Sequence, residues 1–211
     1  MWHDLLQTNG NHPFGADCQA MMEARGVSDV LATTHRDHAN LAKLLDAAER
    51  QLALYEQGET PDYDIILGVI DYCLNYPDLY HHPKEDLILR RLRQRDPEAA
   101  RAVGDLEDEH RALGALTRRF AGAVNNILGD AEMPRDALQT IAREFLTSYR
   151  AHMHMEEQVF LPAARRALDP SDWAEIDAQL THREDPLFGT EREDRYRSLR
   201  KEILSWAQEN D

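Results

Sequence analysis

The placement of histidine constrains this chain more than any other feature. Seven of its ten histidines fall into four groups: His35/His38, His81/His82, His110 and His152/His154. Two groups are followed by a glutamate four residues on, His81 by Glu85 and His152 by Glu156. On an α-helix, residues four apart lie one above the other on the same face. Each of these segments can therefore aim an imidazole and a carboxylate at one point. Four such groups along one chain predict four helices surrounding a metal site.

The apolar pattern supports four helices. Leu31, His38, Leu45 and Leu52 recur every seven residues, with Leu41, Ala48 and Tyr55 as a second row. That is the inward seam of a bundle helix, with Ser28 as its predicted cap and Gly58 past its end. A second helix is expected over 63–95, its seam including Ile66, Ile70, Cys73, His81, Ile88 and Leu92. Pro77 and Pro83 lie inside it and predict kinks or a break. Val103, Leu106, His110, Leu113, Thr117, Phe120, Val124 and Ile127 alternate three and four apart and predict a third helix ending at Gly129. A fourth follows Pro134 and carries Leu138, Ile141, Phe145, His152, Val159 and Ala163 inward, as far as about Leu168. Asp169-Pro170-Ser171 breaks the pattern. Two short helices are expected after it, over 171–183 and 191–208, packing through Trp173, Ile176, Leu180, Leu199, Ile203 and Trp206.

The expected fold is thus all-α: an up-down-up-down four-helix bundle over 28–168. A mostly irregular N-terminal arm (1–27, with a short helix near 17–24) precedes it, and a C-terminal helical extension (169–211) follows.

Composition narrows the class. With 42% hydrophobic and 30% charged residues, the chain reads as soluble and globular. A net charge of −15 argues against nucleic acid, whose phosphates need a basic patch, and against an anionic membrane surface. The start, Met1-Trp2-His3-Asp4, does not have the form of a secretory signal. No stretch approaches the roughly 18 apolar residues of a membrane span. Cys18 and Cys73 form no CxxC pair, so no disulfide framework is expected and the cytoplasm is the expected location.

His38, His81, His110 and His152 each fall on the inward seam of a different helix. Four buried imidazoles without partners would be costly, and a metal satisfies one nitrogen of each. Glu85 and Glu156 face inward too, where a carboxylate is tolerated only when paired or metal-bound. Two glutamates can bridge two divalent ions. Nitrogen and carboxylate donors without thiolate suit iron, manganese or zinc. The other candidates carry less weight. His82 lies about 100° around the helix from His81, which makes it a neighbour of the site or a surface residue. His154 is read as solvated, Glu109 as outward-facing, and His3, His12 and His182 as outside the bundle. Tyr72, Tyr76, Tyr80 and Tyr149 are read as packing residues, one of which could hydrogen-bond to a ligand side chain.

These motifs carry a family resemblance. His81-His82-Pro83-Lys84-Glu85-Asp86 resembles the HHxxEE motif of hemerythrin-like HHE cation-binding domains. The run from His152 to Pro162 is similar to their fourth-helix HxxxE…(F/L)P motif, Asp108-Glu109-His110 to the third-helix EH, and His35–Leu41 to the first-helix (D/E)HxxL, with His38 in register. The matches span about 30–166. The resemblance implies His38, His81, His110 and His152 as terminal ligands, with Glu85 and Glu156 as bridging carboxylates. It implies two iron ions, oxo- or hydroxo-bridged, with manganese or zinc as alternatives. Oxygen-carrying hemerythrins have a second histidine one turn before the third-helix ligand, where this chain has Leu106, and an HxxxxD spacing on helix 4. Both departures argue against reversible oxygen carriage. The missing donor implies an open or water-filled position at one metal, facing Leu106, which His35 or Glu107 could fill.

The resemblance implies binding or sensing of a small diatomic or of peroxide. Turnover is the alternative, as peroxide or nitric oxide reduction or ferrous iron oxidation, and so is a role in iron handling or iron–sulfur repair. The sequence displays no electron source, so the reading leans toward a binding protein rather than an enzyme. A third alternative is a structural-metal module acting through residues 170–211, with a protein partner or a second copy of the chain.

Overall fold

The computed structural model describes residues 14–129, 134–181, 183–190 and 193–209. His3, His12, His182 and the side chain of Trp206 lie outside the described residues. Among the described residues there is no strand. Helix α1 is Phe14–Gln57, α2 Tyr63–Asn75, α3 His82–Arg95, α4 Pro97–Val103 and α5 Leu106–Leu128. The chain continues with α6 Arg135–Met155, α7 Leu161–Ala167, α8 Pro170–Asp177 and α9 Arg197–Glu209. One π-helical turn, Pro77–His81, joins α2 to α3, and a second, Glu156–Phe160, joins α6 to α7. The chain therefore breaks near the two prolines of the second bundle helix.

Aspartates start several of these elements. Asp62, Asp96 and Asp105 each accept a hydrogen bond from a backbone N–H of the first turn they precede. Asp169 forms a reciprocal capping box with Asp172. Gly58 ends α1 at φ +90°, a conformation that costs a glycine little. Gly104, at φ +89°, separates α4 from α5, so Val103 belongs to a short helix of its own. The apolar spacing alone joins it to the third bundle helix. Ser28 is not a cap: α1 is already helical at Phe14, and the stretch expected as an irregular arm is helical from that residue.

The core has two parts. One gathers Leu44, Leu45, Ile66, Val69, Phe120, Phe145 and Tyr149. The other gathers Val30, Ile88, Leu92, Leu106, Phe160 and Trp173. Along α1 the chain passes from the second cluster at Val30 to His38 and then to the first at Leu44. Along α2 and α3 the order reverses, from Ile66 through His81 to Ile88. It reverses again from Leu106 through His110 to Phe120, and again from Phe145 through His152 to Phe160. This alternation is the up-down-up-down bundle, with the histidine layer between two apolar layers. The last segments cover both layers: Trp173 and Ile176 of α8 join one cluster, Leu199 and Ile203 of α9 the other.

Candidate metal centre

All six residues with the strongest sequence signal are buried and close together. His38, His81, Glu85 and Glu156 each offer a ligand atom within 4.8 Å of the others, and Glu85, His110, His152 and Glu156 do the same. The two carboxylates are common to both groups. Glu85 and Glu156 are wholly buried. His38 Nε2 lies 3.4 Å from Glu85 Oε1 and 3.2 Å from Glu156 Oε2. His81 Nε2 is 3.3 Å from Glu85 Oε2, and His152 Nε2 is 3.1 Å from Glu156 Oε1. The i, i+4 spacing thus does bring each imidazole to its own carboxylate.

A third group contains a residue that the sequence reading set aside. His82, His110 and His152 also offer ligand atoms within 4.8 Å of one another. His82 is buried, and its ring stacks on that of His110 with centroids 4.1 Å apart. The reason is the π-helical turn that ends at His81. A π turn inserts one extra residue, so counting 100° per residue misplaces the side chains beyond it. The adjacent His81 and His82 both turn inward. The visible signal was the pair of prolines bracketing the two histidines.

The two residues expected to replace the missing donor do not reach the centre. His35 is half-exposed and bonds Glu157 through Nδ1 at 2.8 Å. Glu107 lies at the surface against Arg93. Leu106 is buried in the apolar layer, and His82 approaches His110 from the neighbouring bundle segment.

Behind the inward atoms stands a ring of carboxylates. His38 Nδ1 lies 2.6 Å from Glu157, and His81 Nδ1 lies 3.2 Å from Asp37. His82 Nδ1 is 3.3 Å from Asp78, His110 Nδ1 is 3.0 Å from Asp86, and His152 Nδ1 is 3.0 Å from Glu109. Four of these carboxylates adjoin a candidate ligand in sequence: Asp37 precedes His38, Asp86 follows Glu85, Glu109 precedes His110, and Glu157 follows Glu156. Each serves the histidine of a neighbouring bundle helix, so the pairs close a circle around the bundle. A carboxylate on Nδ1–H fixes the tautomer and leaves Nε2 as a basic inward donor, the usual support of a metal-bound histidine. Glu109 is thus at the surface but not merely outward-facing. Among the tyrosines, Tyr76 donates to Asp37 at 3.3 Å and so braces His81. Tyr72 donates instead to Asp185, and Tyr149 pairs with Thr117. His154 is exposed, as expected.

The inward atoms are poorly served by the protein itself. His38 Nε2, His152 Nε2, both oxygens of Glu85 and Glu156 Oε2 are buried without a hydrogen-bond partner. Leaving such atoms buried is costly, and a cation would satisfy all of them. With no cation, the carboxylates hold protons on the rings. Burial opposes the charged form of His38, but Glu156 and Glu85 outweigh it and push this imidazole up to about 11. His110 is likewise pushed up to about 9 against its burial, by Asp86 and Glu156. The same balance raises His152. Burial wins at His81, which is lowered, and at His82, which falls to about 4. The donor set is therefore nitrogen and carboxylate oxygen, buried and prearranged, and it fits a divalent cation.

The family model described as the hemerythrin HHE cation binding domain matches residues 27–164. The chain belongs to that family. Membership makes cation binding the property of this bundle, and the matched span contains every inward donor. Comparisons with curated proteins and with solved structures return no match. Among the described residues no helix is long and apolar enough to cross a membrane.

Proposed function

We propose that this HHE domain is a non-haem di-iron protein that binds or senses dioxygen, nitric oxide or peroxide. His38 and His81 would hold one ion, His82, His110 and His152 the other, with Glu85 and Glu156 bridging. The observation that carries this reading is the convergence of four imidazoles on two wholly buried carboxylates, three of whose four oxygens have no hydrogen-bond partner among the described residues, with His82 beside His110 and His152. Two adjacent irons held there would supply the redox chemistry that a small oxidising ligand needs, which zinc could not. The protein's part is to keep the donors in place. The ring of carboxylates orients the imidazoles, and the apolar layers on either side exclude water.

The donor count is unequal. Two nitrogens serve the His38/His81 side and three the His82 side. The His38/His81 side is therefore where an external ligand would find room. This replaces the vacancy that the sequence suggested beside Leu106.

Metal counting and an optical spectrum on aerobically purified protein test the proposal. Two irons per chain with near-ultraviolet absorption are expected. A colourless protein carrying zinc would overturn it. Steady turnover of peroxide or nitric oxide, abolished by Glu85→Gln, would move the assignment from sensor to enzyme.

A further inference from the structure

A cavity of about 730 Å³ lies between the bundle and the C-terminal extension, beside the metal centre and lined by none of its inward donors. That volume falls in the range of small-molecule sites, roughly 300–1,000 Å³. Its lining includes Lys84, Asp37, Tyr76 and, from the extension, Leu180, Thr181 and Phe188. Arg36 lies at the exposed edge of the lining.

We propose that this cleft binds a small organic anion, a carboxylate on a planar apolar body. The argument is a count of donors and acceptors. Lys84 is 5% exposed, yet its ammonium makes one hydrogen bond among the described residues, to Asp37 Oδ2 at 2.8 Å. An ammonium has three donors, and buried donors require partners. Arg36 has five N–H donors and, among the described residues, makes a single hydrogen bond, to Thr33. The carboxylates of the lining are mostly committed. Asp37 accepts from Lys84, His81 and Tyr76. Asp185 accepts from Tyr72, Asn40 and the backbone N–H groups of Leu187 and Phe188. Glu184 accepts from Thr190. Asp177 is held within the protein, and Asp29 stands in water at the exposed edge. Lys84 and Arg36 thus have donors to spare toward the cleft, while Arg183 is committed to Tyr80 and Glu193, so the molecule that meets the first two carries acceptors. Tyr80, Leu180 and Phe188 supply the apolar wall for its body.

The site is shaped by the extension. Asp185 inserts between Tyr72 and Asn40 and turns the chain, and the turn closes with Gly189 N–H on Asp185 O at 2.7 Å. A Cβ on Gly189 would meet that same oxygen at 2.5 Å, so the turn requires glycine. This assigns the segment 185–189 a purpose that the metal centre does not use: it forms a wall of the cleft.

The proposal does not rest on the identity of the metal, and its test is binding by the full chain as purified. Fluorine NMR with 4-fluorobenzoate as probe should show saturable broadening. Arg36→Ala should weaken binding about tenfold, the loss expected for a hydrogen bond between charged groups. Thr181→Trp, at an exposed position of the wall, should abolish binding while leaving the helical circular dichroism unchanged. Equal binding of the neutral 4-fluorobenzamide would overturn the requirement for an anion. Displacement of the probe by an equal concentration of inorganic phosphate would overturn the requirement for an apolar body. Unchanged binding in Thr181→Trp, or no binding of the probe at millimolar concentration, would overturn the site itself.

Discussion

At the residue scale, His82 and His35 exchange the roles that counting along a helix gives them. His82 sits beside His110 and His152, whereas His35 is half-exposed against Glu157. On the proposed two-metal reading, replacing His82 with alanine should leave one of the two positions short of a donor. Metal per chain should then fall from two toward one, measured by elemental analysis after gel filtration, while His35→Ala keeps both. Equal stoichiometry in the two variants would remove His82 from the centre. Six of the inward donors were legible because each sits on a seam that apolar residues mark independently. His82 was not, because its position depends on one residue inserted by the π turn. The supporting carboxylates were present in the sequence as the immediate neighbours of Glu85, His110, His38 and Glu156. Which histidine each one serves is decided between helices, and no spacing along one helix shows it.

At the scale of elements, the breaks matter as much as the helices. Apolar periodicity located all four bundle segments but not the π turns, because one extra residue shifts a seam without erasing it. Gly104 was also unread, since Val103 and Leu106 are three apart whether or not a turn separates them. Gly114 shows how two elements meet at the site. A Cβ there would lie 2.9 Å from Asp78 Oδ2, in the π turn that precedes His82. Asp78 is also the carboxylate beside His82 Nδ1. In Gly114→Ala the carboxylate must move, and His82 loses its support. Removing such a partner costs about 10–100-fold in metal affinity. Alanine favours the helix over glycine by about 1 kcal/mol, so the thermal midpoint of the metal-free variant should hold or rise. Competition with a chelator, paired with a melting curve, checks both halves. A lower midpoint with unchanged affinity would show that the contact is only one of packing.

At the scale of the whole molecule, the extension belongs to the core. Trp173 is among the largest fully buried side chains and shares an apolar cluster with Val30 of α1 and Ile88 of α3, the two helices that α8 packs against. Trp173→Ala should cost about 3–5 kcal/mol of unfolding free energy, read as a fall in the urea midpoint. The sequence marked Trp173 as a packing residue but could not say against which layer, because that depends on where the chain returns.

The charge balance of the centre gives the molecule a pH dependence whose sign changes with the metal. Without a cation, His38 is pushed up to about 11 and His110 to about 9, from an ordinary value of 6.5. A raised imidazole stabilises the fold fully below the unfolded value, and that stabilisation is lost as pH rises through the folded one. The chelator-treated protein should therefore lose stability steadily from about pH 6.5 toward pH 9 and above. Metal binding needs the same nitrogens without protons. Loading at neutral pH should release protons into weakly buffered solution, and the apparent affinity should fall as pH is lowered. The loaded protein should not share the alkaline decline, since its donors no longer hold protons to lose. Melting curves of both forms between pH 6 and pH 10 decide the matter: parallel curves would mean that the metal does not sit on His38 and His110.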